Sequence, residues 1–175
     1  VVCVCSSEKV IDALAIVTPE CTSKLRNSKL EQELFYDRDA ILIGSGLGLN
    51  EQSEQYVIDT LQYANCPIVI DADGLTIAAK HLDLLKECPV PIILTPHFGE
   101  FKRLCAYDDE LDMIDKVGGF ARKYGVTVVL KGPNTLITDG RETYRNITAN
   151  KAMATAGMGD VLAGMIVSFV GQGYT

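Results

Sequence analysis

Short runs rich in Val and Ile recur along this chain, each followed by a stretch whose apolar residues fall at helical spacing. The runs are Val1–Cys5, Ala40–Gly44, Pro67–Asp71, Pro91–Thr95 and Val126–Lys131, and each reads as a buried strand. The intervening stretches Ser7–Val17, Asn50–Ala64, Gly74–Leu85, His97–Ala106 and Glu110–Tyr124 read as helices. Strands that are apolar on both faces must be covered on both faces, so this alternation predicts an α/β fold with a mainly parallel sheet between helices. Element ends agree: Asn50 suits a helix cap, and Cys66-Pro67 and Cys88-Pro89 mark helix-to-strand connections.

The pattern changes after Lys131. Thr135–Thr138 and Thr143–Ile147 flank Asp139-Gly140, a two-residue hairpin signal, so a β-hairpin should precede the last helix. That helix, Val161–Val170, is almost entirely apolar and is expected to be buried. It has about half the ~20 residues that a membrane span needs.

With 175 residues and no linker, repeat or low-complexity stretch, residues 1–175 are expected to form one domain. Val1-Val2-Cys3-Val4 reads as the middle of a strand without an initiator Met, and the chain stops at Gly173-Tyr174-Thr175 just after an apolar helix. The expectation is therefore a partial domain, truncated at both ends. A net charge of −7 argues against nucleic acid or an anionic membrane as partner. The six cysteines include no C-x-x-C pair and read as reduced, packed thiols of a cytoplasmic protein.

In open α/β sheets, ligands bind beyond the carboxyl ends of the strands. Gly44–Gly48, Asp71–Gly74, Thr95–Glu100 and Lys131–Thr135 all fall there. The alternating glycines Gly44, Gly46 and Gly48 either bring backbone N–H groups to a ligand or form a tight turn. Asp71 and Asp73 share a side if extended geometry persists and are then candidates for Mg²⁺; otherwise Asp73 caps a helix and Asp71 accepts backbone hydrogen bonds. His97 can contact a ligand, and Glu100 can complete a capping arrangement. His81 reads as a surface residue. Lys131 either offers an ammonium to a phosphate or merely ends a strand, and Asn134 and Thr135 can add neutral hydrogen bonds.

The segment Asn150–Asp160 carries the strongest signal. Ala156, Gly157 and Gly159 leave room for successive N–H groups to form an anion nest at a helix start. Asp160 is either the cap of that helix or a base that takes a proton from an attacking hydroxyl. Neither a Walker A sequence nor a Ser/His/Asp nucleophile signature is present. The residues thus point to nucleotide-dependent phosphoryl transfer at the edge of an α/β sheet.

Taken together, Gly44-Ser45-Gly46-Leu47-Gly48, Val69–Leu75, Thr95–Phe101, Lys131–Thr135 and Asn150–Gly164 resemble, in order, the motifs of the ADP/ATP-dependent NAD(P)H-hydrate dehydratases of the ribokinase-like superfamily. The resemblance implies repair of hydrated NADH or NADPH (NADHX, NADPHX). The ring hydroxyl is phosphorylated from ADP or ATP, with Mg²⁺, and phosphate is then eliminated. It also implies that Gly46, Gly48, His97, Glu100 and Asp160 contact the hydrated cofactor, with Asp160 as general base. Lys131, Gly132, Pro133, Asn134 and Thr135 would hold the phosphoryl donor, together with Asn150, Met153, Ala154, Thr155, Ala156, Gly157, Met158 and Gly159. Met153-Ala154-Thr155 is more similar to the ADP-using branch. The chain departs from the family at Ser45 and Phe98, where Pro is usual. In some members of the family an epimerase domain precedes this one; a homo-oligomer is a further partnership that the sequence leaves open. The alternatives are a ribokinase-like kinase of a vitamin alcohol (hydroxymethylpyrimidine or hydroxyethylthiazole type) and a nucleotide-binding fragment without catalysis.

Overall fold

A computed structural model describes residues 1–27, 30–105 and 112–174. The apolar runs become β1 (Cys3–Ser6), β3 (Ile41–Ile43), β4 (Ile68–Ile70), β5 (Ile92–Leu94) and β6 (Thr127–Leu130), and the hairpin supplies β7 (Leu136–Thr138) and β8 (Thr143–Arg145). One strand, β2 (Thr22–Leu25), had no apolar signal because all its residues are exposed. It pairs in parallel with β1 in a separate two-stranded sheet. The main sheet has the order β3-β4-β5-β6-β7-β8, parallel through β6 and antiparallel beyond it.

The helices are α1 (Glu8–Val17), α2 (Glu51–Tyr63), α3 (Ala72–Ala78), α4 (Leu82–Glu87), α5 (Phe98–Leu104), α6 (Met113–Tyr124) and α7 (Met158–Gly171). Asn50 caps α2 by accepting a hydrogen bond from the Ser53 N–H at 2.9 Å. Asp112 caps α6, which ends on Gly125 at a φ of +67°. Ala106 and Glu110, at the ends of two expected helices, lie outside the described residues.

Strand periodicity divides the sheet residues between two faces. Ile68, Ile70, Ile92, Leu94, Val128 and Leu130 join one core with residues of α2 to α6. Val69 is fully buried and points the opposite way, to the face where α7 packs on β3 and β4. Both faces of β4 are therefore covered, as its unbroken apolar run requires.

Four local expectations are corrected. Gly74–Leu85 is two helices, because the Lys80 and His81 N–H groups bond to Ile77 and Ala78, three residues back, which tightens the last turn. That turn brings Lys80 and His81 to Glu54, at 3.0 and 2.7 Å, so His81 is a paired residue rather than plain surface. The hairpin loop spans four residues, 139–142, instead of two. Asp139 accepts from the N–H groups of Arg141 and Glu142 at 2.8 Å each and holds the wider loop open, while Arg122 clamps the Gly140 carbonyl. Finally, α7 is not buried. Only Ala163 is fully covered, and Val161, Met165 and Phe169 form an exposed stripe at i, i+4 and i+8. Apolar composition gave no means of separating its one packed side from this outer one.

Among the described residues, no helix is long and apolar enough to cross a membrane. All six cysteines are free thiols. Burial pushes the pKa of Cys5, Cys66, Cys88 and Cys105 up, which keeps them protonated and weakly nucleophilic.

Candidate functional site

The ends of β3, β4, β5 and β6 lie side by side, so the four polar segments that follow them meet along one edge. Glycines let two of these segments pack backbone against backbone. A Cβ on Gly44 would lie 1.8 Å from the Asp71 carbonyl oxygen, and one on Gly74 would lie 3.0 Å from the Ile43 carbonyl oxygen. No other residue allows the turn after β3 to nest against the start of α3, and Gly44 also has a φ of +128°.

Asp71 and Asp73 engage different partners. Ala72, between them, adopts the left-handed region at a φ of +49° as α3 begins, so extended geometry ends at Asp71. The Asp71 carboxylate is buried and accepts a hydrogen bond from Lys131 Nζ at 2.7 Å. This pair reaches across the end of β5, because β4 and β6 are not neighbours. Asp73 accepts from the Gly48 N–H at 2.8 Å. Neither carboxylate caps α3 as a simple helix-start residue would. Ion pairs between non-adjacent strands leave no local signal, although opposite charges ending two apolar strands were a hint.

The Gly44–Gly48 segment is a tight turn, closed by the Leu47 N–H donating to the Gly44 carbonyl at 3.1 Å. The Gly48 N–H is committed to Asp73, whereas Gly46, at a φ of +63°, faces open space. Ser45 is exposed in this turn.

His97 and Glu100 form a complete capping box at the start of α5. The His97 Nδ1 accepts from the Gly99 and Glu100 N–H groups at 2.9 and 3.3 Å, and Glu100 accepts from the His97 N–H at 2.7 Å. With Nδ1 accepting, Nε2 is the donor nitrogen of the ring, and it lies 3.5 Å from Glu100 Oε1. The His97 side chain is 56% exposed, so it can cap the helix and still meet a ligand. Phe98 sits at the first helical position, where Pro is favoured.

Lys131 and His97 form a parallel bridge that continues β5 and β6 by one step. Beyond it, Gly132, Pro133 and Asn134 are exposed, and Thr135 Oγ1 donates to the Gly132 carbonyl at 3.0 Å. The segment from Asn150 is held by its own turns: Asn150 Oδ1 accepts from the Ala152 N–H, and the Thr155 carbonyl from the Met158 N–H. Met153, Ala154, Thr155, Ala156 and Gly157 are exposed.

Gly157, at a φ of +82°, is the residue that caps α7, and a Cβ there would meet nothing within 4 Å. Asp160 is thus in the first turn rather than at the cap, with its side chain exposed. A Cβ on Gly159 would lie 3.5 Å from Lys131 Nζ and 4.0 Å from Asp71 Oδ2. The start of α7, its positive dipole end and a lysine ammonium therefore meet at one point. That arrangement suits an anion.

Among the described residues, no group of His, Cys, Asp or Glu gathers as a metal cage. With Asp71 and Asp73 engaged elsewhere, the donor set fits only a divalent cation that keeps its waters and arrives with phosphates.

Fold and strand-end site together define a ribokinase-like α/β protein. The architecture superposes on a ribokinase-like superfamily protein from Enterococcus faecalis with a TM-score of 0.85 at 28% identity, covering 97% of this chain and 61% of the other. A family model described as NAD(P)H-hydrate dehydratase matches residues 1–175, and the chain belongs to that family. It is 40% identical over 146 residues to the bifunctional NAD(P)H-hydrate repair enzyme Nnr of Thermofilum pendens, covering 81% of this chain and 28% of the relative. It is also similar to the ADP/ATP-dependent NAD(P)H-hydrate dehydratase of Bacillus subtilis co-crystallised with ATP and Mg²⁺. There the TM-score is 0.77 and the identity 32%, with 95% of this chain and 60% of the other covered. The chain thus spans little more than a quarter of that curated relative and about three-fifths of the solved structures.

Proposed function

We propose that this chain carries the dehydratase activity of a cofactor-repair enzyme that restores NADH or NADPH from NADHX or NADPHX at the expense of ADP or ATP. The observation that carries the reading is the meeting of Lys131, Gly159 and the Asp160-bearing first turn of α7 at the sheet edge. The family match over residues 1–175 supports the choice of substrate.

In this reading Gly46, Gly48, His97 and Glu100 bound the hydrated cofactor, and His97 offers its Nε2–H to it. Lys131–Thr135 and Asn150–Gly159 bound the donor. Mg²⁺, where bound with the nucleotide, offsets phosphate charge. Asp160 takes the proton of the ring hydroxyl as its oxygen attacks the terminal phosphoryl group, and the nucleotide leaves shorter by one phosphate. The backbone N–H groups of the α7 start and the Lys131 ammonium stabilise charge on the group in flight. The ring C–O bond then breaks with assistance from the ring nitrogen lone pair. Phosphate departs with the bonding electrons, and loss of a ring proton restores the dihydropyridine. The bifunctional naming of the relatives supports a second activity in the whole protein, for which a fused epimerase domain is the proposal, and the proposed location is the cytoplasm. Self-association of the whole protein belongs to the same proposal and is checked by light scattering.

The test is to incubate the whole protein with hydrated NADH, Mg²⁺ and ADP or ATP and follow recovery of NADH absorbance. Recovery is expected with at least one nucleotide. No recovery with either, alongside phosphorylation of a hydroxymethylpyrimidine or hydroxyethylthiazole alcohol, would replace this reading with the kinase. Nucleotide binding without any turnover would reduce the chain to a binding fragment.

A further inference from the structure

The proposed chemistry makes no use of two carboxylates that stand at the centre of the sheet edge. Asp71 and Asp73 flank Ala72, whose φ of +49° sends them to different loops. Asp71 holds Lys131 Nζ at 2.7 Å, and Asp73 holds the Gly48 N–H at 2.8 Å. Lys131 belongs to the donor half of the site, and Gly48 to the hydrated-cofactor half. We propose that Asp71 and Asp73 are positioning residues that set these two halves in register, an inference that rests on the dehydratase reading.

Each half needs such an anchor for its own reason. A lysine ammonium on a four-carbon stem spreads over many rotamers unless a fixed partner holds it. Asp71 is itself buried at the end of β4 and supplies that partner, leaving Lys131 beside the start of α7. The Gly44–Gly48 turn is held at Leu47, which packs on the core and accepts from Ser53 Oγ at 2.8 Å, and the charge-assisted bond from Asp73 to the Gly48 N–H adds the anchor at its far end. The two anchors cannot drift apart. Gly74 follows Asp73 directly, and a Cβ there would lie 3.1 Å from Gly44 Cα. A non-glycine residue held at positive φ persists only where its surroundings over-determine it, and such residues concentrate at functional sites.

The test reads each half separately, through KM for each substrate in the whole protein. Asp73→Ala should raise KM for the hydrated cofactor about tenfold and leave KM for the nucleotide unchanged. Asp73→Asn, whose side-chain oxygen still accepts from Gly48, should recover most of that loss. Asp71→Asn should do the reverse, raising nucleotide KM about tenfold with the hydrated-cofactor KM unchanged. Should Asp71→Asn fail to fold, Asp71→Glu keeps the charge but moves it by one methylene, and it carries the same test. Amide hydrogen exchange gives a readout independent of turnover: Gly48 should exchange faster in Asp73→Ala and not in either Asp71 variant. Parallel shifts of both KM values, or a raised Mg²⁺ requirement in both Asp71 and Asp73 variants, would overturn the proposal and make the pair a cation site. Wild-type protein without turnover would instead sink the dehydratase reading, while the exchange pattern still decides whether the two carboxylates act on separate loops.

Discussion

The strand ends from β3 to β6 and the segment 150–160 build adjoining parts of one site by opposite means. At the strand ends, position is imposed from outside the local sequence. Gly44 is wedged against Asp71, Lys131 is paired across β5, and Gly48 is tied to Asp73. In 150–160 the recorded bonds are short-range turns, residues 152–157 are exposed, and the shape depends on one left-handed glycine at the start of α7. The first part is preorganised by the sheet. The second has little burial to oppose local opening, which places it at the low-stability end of the molecule. A phosphate that bonds to its N–H groups should order it.

The largest effect should come from the exposed part. Asp160→Asn should lower kcat by about 10²–10⁴-fold, the span typical of a general base, with ADP affinity nearly unchanged. Intact turnover in this variant, alongside normal binding, would remove Asp160 from the mechanism.

Lys131→Met attacks the preorganised part by stranding the buried Asp71 carboxylate. It should cost about 3–5 kcal/mol in denaturant unfolding. Adding Asp71→Asn should restore much of that stability without restoring nucleotide affinity, since the ammonium is still missing. A double variant as unstable as the single one would mean that the pair has no structural role.

Two alanine substitutions set the parts directly against each other. Gly44→Ala drives a methyl group into the Asp71 backbone at a φ of +128°, and should cost about 3 kcal/mol or more. Gly157→Ala meets open space at a φ of +82° and should cost only about 1–2 kcal/mol, from the left-handed conformation alone. Equal shifts in unfolding midpoint would erase the distinction between an imposed and a local shape.

The smallest effect lies away from the site. The hydrogen bond from His81, and then that from Lys80, hold the Glu54 carboxyl below its ordinary value of 4.5. A carboxylate whose pKa is lowered on folding stabilises above its unfolded value, and that contribution is lost as pH falls through the folded one. The difference in Tm between wild type and Glu54→Gln should therefore shrink as pH falls below about 4.5. As Glu54 is on the surface, salt should diminish the difference further. A difference that grows on acidification would contradict the pairing.

The sequence by itself determined the alternation of strands and helices, the hairpin after Lys131 and the edge on which the polar segments meet. These depend on periodicity and on short-range rules at element ends, which act within a few residues. The capping box of His97 and Glu100, three residues apart, was legible for the same reason. What needed the tertiary structure were the relations between distant residues. β2 was hidden because its partner, and not its composition, makes it a strand. The exposed side of α7 was hidden because an apolar helix does not say which of its faces will be covered. The parting of Asp71 and Asp73 was decided by Lys131, 60 residues from Asp71, and by Gly48, 25 residues from Asp73. Charge and hydrogen-bond geometry act over a few ångströms in space, and only the folded sheet brings those partners within that range.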